Sequence, residues 1–204
     1  MVIYYMEERA IYQTSDKDSS LRQGEILTGV VQFNPIVEEL SQKWQELKDI
    51  PFTPVLHPYA IVVTQDCDLD WDYKVRGTSN SNPAKLLNSI VLCEIGTAES
   101  IRGTDGMNRK EWELVVSHRH ERFYFFEKIP FEYEVEQEGL PELTADFKKV
   151  FGIDAATLYR QIELGIVKRR TILASPYLEH FSRRYHSFHG RVALPSQYES
   201  EREG

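Results

Sequence analysis

The sequence predicts a single α+β domain, and three observations predict it. Short β-branched and aromatic runs recur between clusters of turn residues, as strands do. Two segments, Val37 to Leu47 and Tyr177 to Phe188, carry apolar residues at three- and four-residue spacing, as helices do. The 204 residues are 41 % hydrophobic and 27 % charged, a composition that folds around a core.

The elements follow in order. Residues 13–20, with Thr14, Ser15, Asp16, Asp18, Ser19 and Ser20, read as a polar loop. Gly24 to Phe33 is β-branched and apolar and predicts a strand. Behind Pro35, Val37, Leu40, Trp44 and Leu47 recur at helical spacing, with Glu38, Glu39, Lys43 and Glu46 on the other side. Pro51, Pro54 and Pro58 end that helix and lead into Tyr59 to Thr64, an apolar run that predicts a central strand buried on both faces. Residues 76–83 form a loop, Ser89 to Ile95 another strand, and residues 103–108 a turn.

Glu121 to Ile129 holds four consecutive aromatics, Phe123 to Phe126, and reads as an aromatic strand. Phe131, Tyr133 and Val135 alternate with glutamates, which predicts a one-sided strand. Ala145 to Ile153 predicts a further strand. Asp154 caps a helix that runs through Glu163 and stops at Gly165. In the last helix Ser175 is the N-cap and Pro176 the first position. Tyr177, Phe181, Tyr185 and Phe188 line its buried face, and Gly190 ends it. Residues 196–204 read as a frayed polar tail.

Composition narrows the function classes. A chain of this length buries about 70 % of its unfolded surface, so it needs neither disulfide nor metal to fold. Its net charge of -8 argues against non-specific wrapping of nucleic acid. Two cysteines, Cys67 and Cys93, make neither a disulfide framework nor a four-thiolate zinc site. The first residues lack a basic segment followed by an apolar core, and no apolar run reaches the roughly 18 residues of a membrane span. A cytoplasmic location without membrane contact is therefore expected, and no cofactor is implied.

The most unusual text is Thr64-Gln65-Asp66-Cys67-Asp68-Leu69-Asp70-Trp71-Asp72. Alternation after a strand puts Asp66, Asp68 and Asp70 on one side, where carboxylates hold Mg²⁺ or Mn²⁺ through oxygen. The calcium-loop pattern fails, because its glycine position holds Trp71 and its glutamate position Gly77. A solvated acidic turn and a partner contact through Asp66, Cys67 and Asp68 are the competing readings. Neighbouring aspartates raise a thiol's pKa, so Cys67 reads as a small packed residue rather than a nucleophile. His118 and His120 could chelate from one face of a strand, though a third ligand is not evident, and an exposed strand edge is the plainer reading.

Lys168, Arg169, Arg170, Arg183, Arg184 and Arg191 concentrate base near the C-terminus among aromatics. They suit a local phosphate face for RNA, or they pair with the glutamates of residues 132–142. The phosphate-loop, dinucleotide, zinc-protease and nucleophile-elbow motifs are absent from the sequence.

Three boxes resemble a group of bacterial proteins of about this length: Gln23 to Leu27, His57 to Leu69, and Ser175 to Leu178 with Arg191 to Pro195. That resemblance brings no activity with it. A second resemblance covers the first half. Gly24-Glu25-Ile26 is similar to the Gly-Asp-Ile opening of the PemK/MazF toxin family, and His57-Pro58 before an apolar strand to that family's Arg-Pro. Thr97 falls near the family's threonine.

The PemK/MazF resemblance implies a small, partly open SH3-like barrel over residues 21–130 and a homodimer; residues 131–195 are expected to form a C-terminal α/β appendage to it, largely helical. It also implies cleavage of single-stranded RNA without metal, here through His57 and Thr97, with histidine in place of a permanently charged arginine. Three functions are carried forward. The first is an accessory or regulatory interaction component of a stress or phage-defence system, with a protein partner. The second is that barrel ribonuclease, with RNA on Arg183, Arg184 and Arg191. The third is a metal-dependent hydrolase using Asp66, Asp68 and Asp70.

Overall fold

The structure, a computed structural model, describes residues 10–36, 51–76, 78 and 82–192. The expected helix over Val37 to Leu47, the tail, and Ala193 to Pro195 lie outside the described residues.

Seven strands form one antiparallel sheet: β1 (Tyr12–Thr14), β2 (Glu25–Pro35), β3 (Phe52–Val62), β4 (Ser89–Thr97), β5 (Phe123–Phe126), β6 (Leu143–Asp154) and β7 (Lys168–Leu173). Their order across the sheet is β1-β7-β2-β3-β4-β6-β5. Five helices are described: α1 (Asp66–Arg76), α2 (Ala98–Arg102), α3 (Arg109–Val116), α4 (Ala155–Glu163) and α5 (Tyr177–His189). None of them is long and apolar enough to cross a membrane.

The sheet is open. Among the described residues β1 and β5 stand at its two edges and do not pair with each other. The small barrel expected over residues 21–130 is therefore corrected to an open sheet. The three runs expected to associate do pair in sequence, as β2, β3 and β4. A boundary at residue 130 runs through the sheet, because β6 lies between β4 and β5, and β7 lies beside β2.

Strand periodicity explains why both faces are covered. Ile26, Ile61, Cys93, Ile95, Ala145 and Phe147 point to one cluster, which Phe181 and Phe188 of α5 complete. Leu27, Ala60, Val62, Ile90 and Leu92 point the other way, where Leu69 of α1 and Ala155 and Leu158 of α4 cover them. Ala60 to Val63 is thus buried without a break, as expected of a strand covered on both sides. Val115 of α3 and Ala98 of α2 close over Phe123 and Phe125 at the β5 edge.

Several local expectations hold. Asp154 caps α4 by accepting from Thr157 N at 2.8 Å, and Gly165 behind the helix takes a φ of +70°. The buried face of α5 and its end at Gly190 are as the spacing implies.

Others are corrected. Pro176, not Ser175, stands at the N-cap of α5, without a side-chain cap bond. Residues 131–135 form no strand. Phe131–Tyr133 is a 3₁₀ turn, and the buried Glu134 carboxylate gathers Glu136 N, Glu138 N and Gly139 N at 2.9, 3.0 and 3.3 Å. That alternative partner for the backbone outcompetes a ladder.

Candidate functional site

The β2–β3 ribbon outruns the rest of the sheet. β3 pairs with β4 only over Tyr59 to Val62, and β2 pairs with β7 only over Glu25 to Thr28. Yet β2 and β3 stay paired out to Pro35 and Phe52. The base of the ribbon is anchored by Gln161 of α4. Its amide accepts from Val31 N at 3.0 Å and donates to Val31 O at 2.7 Å, which satisfies the β2 edge as a neighbouring strand would.

Beyond that anchor the register sorts the side chains. Val31 lies opposite Leu56, Phe33 opposite Pro54, and Pro35 opposite Phe52. Cross-strand partners share a face, so these six apolar residues lie together. Phe33, Phe52 and Leu56 are 54 %, 57 % and 62 % exposed. The opposite face carries Gln32, Asn34, Thr53 and Val55. No Asp, Glu, Lys or Arg occurs in residues 30–36 or 51–57. Pro35 and Pro54 offer no N–H, which disfavours strand addition along the ribbon and leaves its face as the contact surface.

The expected catalytic pair is placed apart in role. His57 is buried in β3, and its ring stacks on Phe151 with centroids 3.8 Å apart and planes 11° apart. Its Nδ1 lies 3.3 Å from Glu94 Oε2 and its Nε2 3.4 Å from Gln32 Oε1. Lys149 donates to Glu94 from the other side at 2.6 Å. Thr97 ends β4 and caps α2, its hydroxyl accepting from Ser100 N at 3.2 Å. Among the described residues no hydrogen bond joins His57 to Thr97.

The aspartate box opens a helix, not an extended strand end. Residues two apart on a helix point to nearly opposite sides, so Asp68 faces away from Asp66 and Asp70. Asp66 receives Gln23 N at 2.6 Å and a two-pronged Arg22 at 3.0 and 2.8 Å, which clasps α1 to the entry of β2. Asp70 pairs with Lys74 at 2.5 Å. Asp72 is fully buried and holds Arg76 and Leu87 N. Among the described residues no three His, Cys, Asp or Glu side chains are arranged to hold a metal ion. Cys67 is exposed rather than packed, whereas Cys93 is buried.

The basic residues divide. Lys168 pairs with Glu136, and Arg170 with Glu134 and Glu138, within the expected acidic stretch. Arg169 instead forms a buried two-pronged pair with Glu25 and donates to the carbonyls of Ser19 and Ser20. A cavity of about 630 Å³ is lined by Lys17, Lys74, Arg76 and Arg169, and each of these cations already has its own carboxylate. Arg184 donates to the carbonyls of His118 and His120, and Arg191 to Phe188 O and Glu121. Arg183 is exposed.

The ribbon face went unread in the sequence because Pro51, Pro54 and Pro58 signal a breaker. The signal that could have found it is the period of two in Val31, Phe33, Pro35 and in Phe52, Pro54, Leu56. Comparisons with protein-family models, with curated proteins and with solved structures find no match.

Proposed function

We propose that the chain is an accessory or regulatory interaction component of the cytoplasm, and that it works as a homodimer joined across the apolar face of the β2–β3 ribbon. The observation that carries this reading is the register of that face. Each aromatic ring lies opposite a proline on its own ribbon: Phe33 opposite Pro54, and Phe52 opposite Pro35. Bulky and flat positions thus alternate. A second copy turned through a two-fold axis lays ring over proline, the self-complementarity that an isologous contact requires. The absence of Asp, Glu, Lys and Arg from residues 30–36 and 51–57 removes like-charge repulsion between identical surfaces.

A non-catalytic role is also favoured by where the alternative's side chains are spent. His57 is engaged by Phe151, Glu94 and Gln32, and Thr97 by the cap of α2. Sedimentation equilibrium tests the reading. A monomer–dimer equilibrium in the micromolar range, lost on Leu56→Asp with the fold retained, is the expected result. A wild-type chain that stays monomeric, or a Leu56→Asp chain that dimerises equally well, would refute it.

A further inference from the structure

A second constellation lies away from the ribbon, where the end of α3 meets β5 and α5. His118 follows the C-cap residue Ser117 of α3 and takes a φ of +56°, with its N–H bonded to Val115 O. That left-handed position behind a helix favours glycine. A histidine there carries a backbone cost that its capping role does not require, and such strain is characteristic of functional residues. Its ring packs on Tyr124 and, edge-on, on His180, with centroids 4.4 and 5.3 Å away. Its Nδ1 is buried with no hydrogen-bond partner.

His180 is exposed on α5, and its Nδ1 lies 3.1 Å from the Tyr124 hydroxyl. Burial pushes the Tyr124 pKa up, so the phenol keeps its proton and is the donor in the tautomer whose Nδ1 is unprotonated. That leaves the His180 proton on Nε2, the nitrogen not engaged by the phenol. Arg183 is exposed three residues further along α5, on the neighbouring position of that helix face. Arg184 ties down the carbonyls of His118 and His120 and so sets the loop that presents the first imidazole.

The geometry points to an anion site for a phosphate group, with His180, His118 and Arg183 as its contacts and Tyr124 and Arg184 as positioning residues. The surrounding charge is one-sided. His118 is held at about 4, first by burial and then by His180 and Arg184. His180 is lowered by burial, Arg184 and Arg183. The groups acting on the pair are the Tyr124 phenol from β5, which is bonded to His180, and the α5 residues Arg184, beside both rings, and Arg183, beside His180; no carboxylate is among the charges that shift either ring. At neutral pH the two imidazoles are therefore uncharged donors. An arriving dianion reverses the balance that keeps protons off them, so binding is coupled to proton uptake.

The test is an NMR titration of the histidine ring protons with inorganic phosphate, and in a second arm with a short single-stranded RNA. The expected result is a raised pKa of His118 and His180 in at least one arm. The arm that acts at lower concentration identifies the source of the phosphate. Arg183→Ala is expected to weaken the effect about tenfold, and His180→Ala to remove it. His118→Gly relieves the backbone strain, so it is expected to melt higher than the wild type while losing the coupled response of His180. If neither phosphate nor RNA moves either titration, or if Arg183→Ala and His118→Gly respond as the wild type does, the site does not exist.

Discussion

Arg170 donates from Nε to Glu134 Oε1 at 2.5 Å, and both side chains are almost fully buried. This pair joins β7 to the turn that carries residues 131–139. Removing Glu134 leaves the buried Arg170 with the exposed Glu138 as its remaining carboxylate, so Glu134→Ala is expected to destabilise the fold by about 3 kcal/mol in urea denaturation. A loss below 1 kcal/mol would show that water replaces the carboxylate.

The same pair sets an acid limit. Burial raises the Glu134 pKa, but Arg170 and the backbone N–H groups of Glu136 and Glu138 outweigh it and hold the group at about 2. A carboxylate depressed in the folded state adds stability above its ordinary value of 4.5 and loses it as pH falls toward 2. Stability measured from pH 6 to pH 2 is expected to fall most steeply below pH 4.5, and Glu134→Gln is expected to flatten that fall. An unchanged slope in the variant would remove Glu134 from the account.

The aspartate box separates into structural and idle positions. Asp66→Ala breaks the clasp on Arg22 and Gln23 N and is expected to cost about 1–2 kcal/mol. Asp68→Ala changes an exposed side chain and is expected to stay within about 0.5 kcal/mol. Mg²⁺ or Mn²⁺ is expected to leave the melting temperature unmoved, since a ligand bound only to the native state raises it. A metal-dependent rise that Asp66→Ala abolishes would reinstate the metal reading.

Local patterns in the sequence made β2, β4, α4 and α5 legible, because their signals lie within a few residues. Asp154 and Gly165 bracket α4, and Phe181 and Phe188 mark the inner face of α5. Long-range facts were not legible. Nothing local to Leu143–Asp154 states that it inserts between β4 and β5, or that β1 and β5 end as the two edges of an open sheet. The aspartate box resembled an extended acidic turn, although Leu69, Asp72 and Arg76 already stand at helical spacing. His118 and His120 were read as one strand face, whereas they flank a turn that sends their rings to different partners: Tyr124 and His180 for one, Phe123 and Glu111 for the other.

His57 is expected to matter for packing. His57→Ala removes the stack on Phe151 and is expected to cost about 2 kcal/mol, read from the denaturation midpoint at unchanged slope. Dimerisation is expected to survive at conditions where the variant stays folded. If the variant is as stable as the wild type, the stacked ring is idle.

The proposed dimer rests on direct contact between two ribbons. Mixing isotope-labelled and unlabelled chains and recording filtered NOE spectra reads it directly. Cross-peaks are expected from the Phe33 ring of one copy to Pro54 of the other, and from Phe52 to Pro35. Intermolecular cross-peaks that arise only from other surfaces would contradict it.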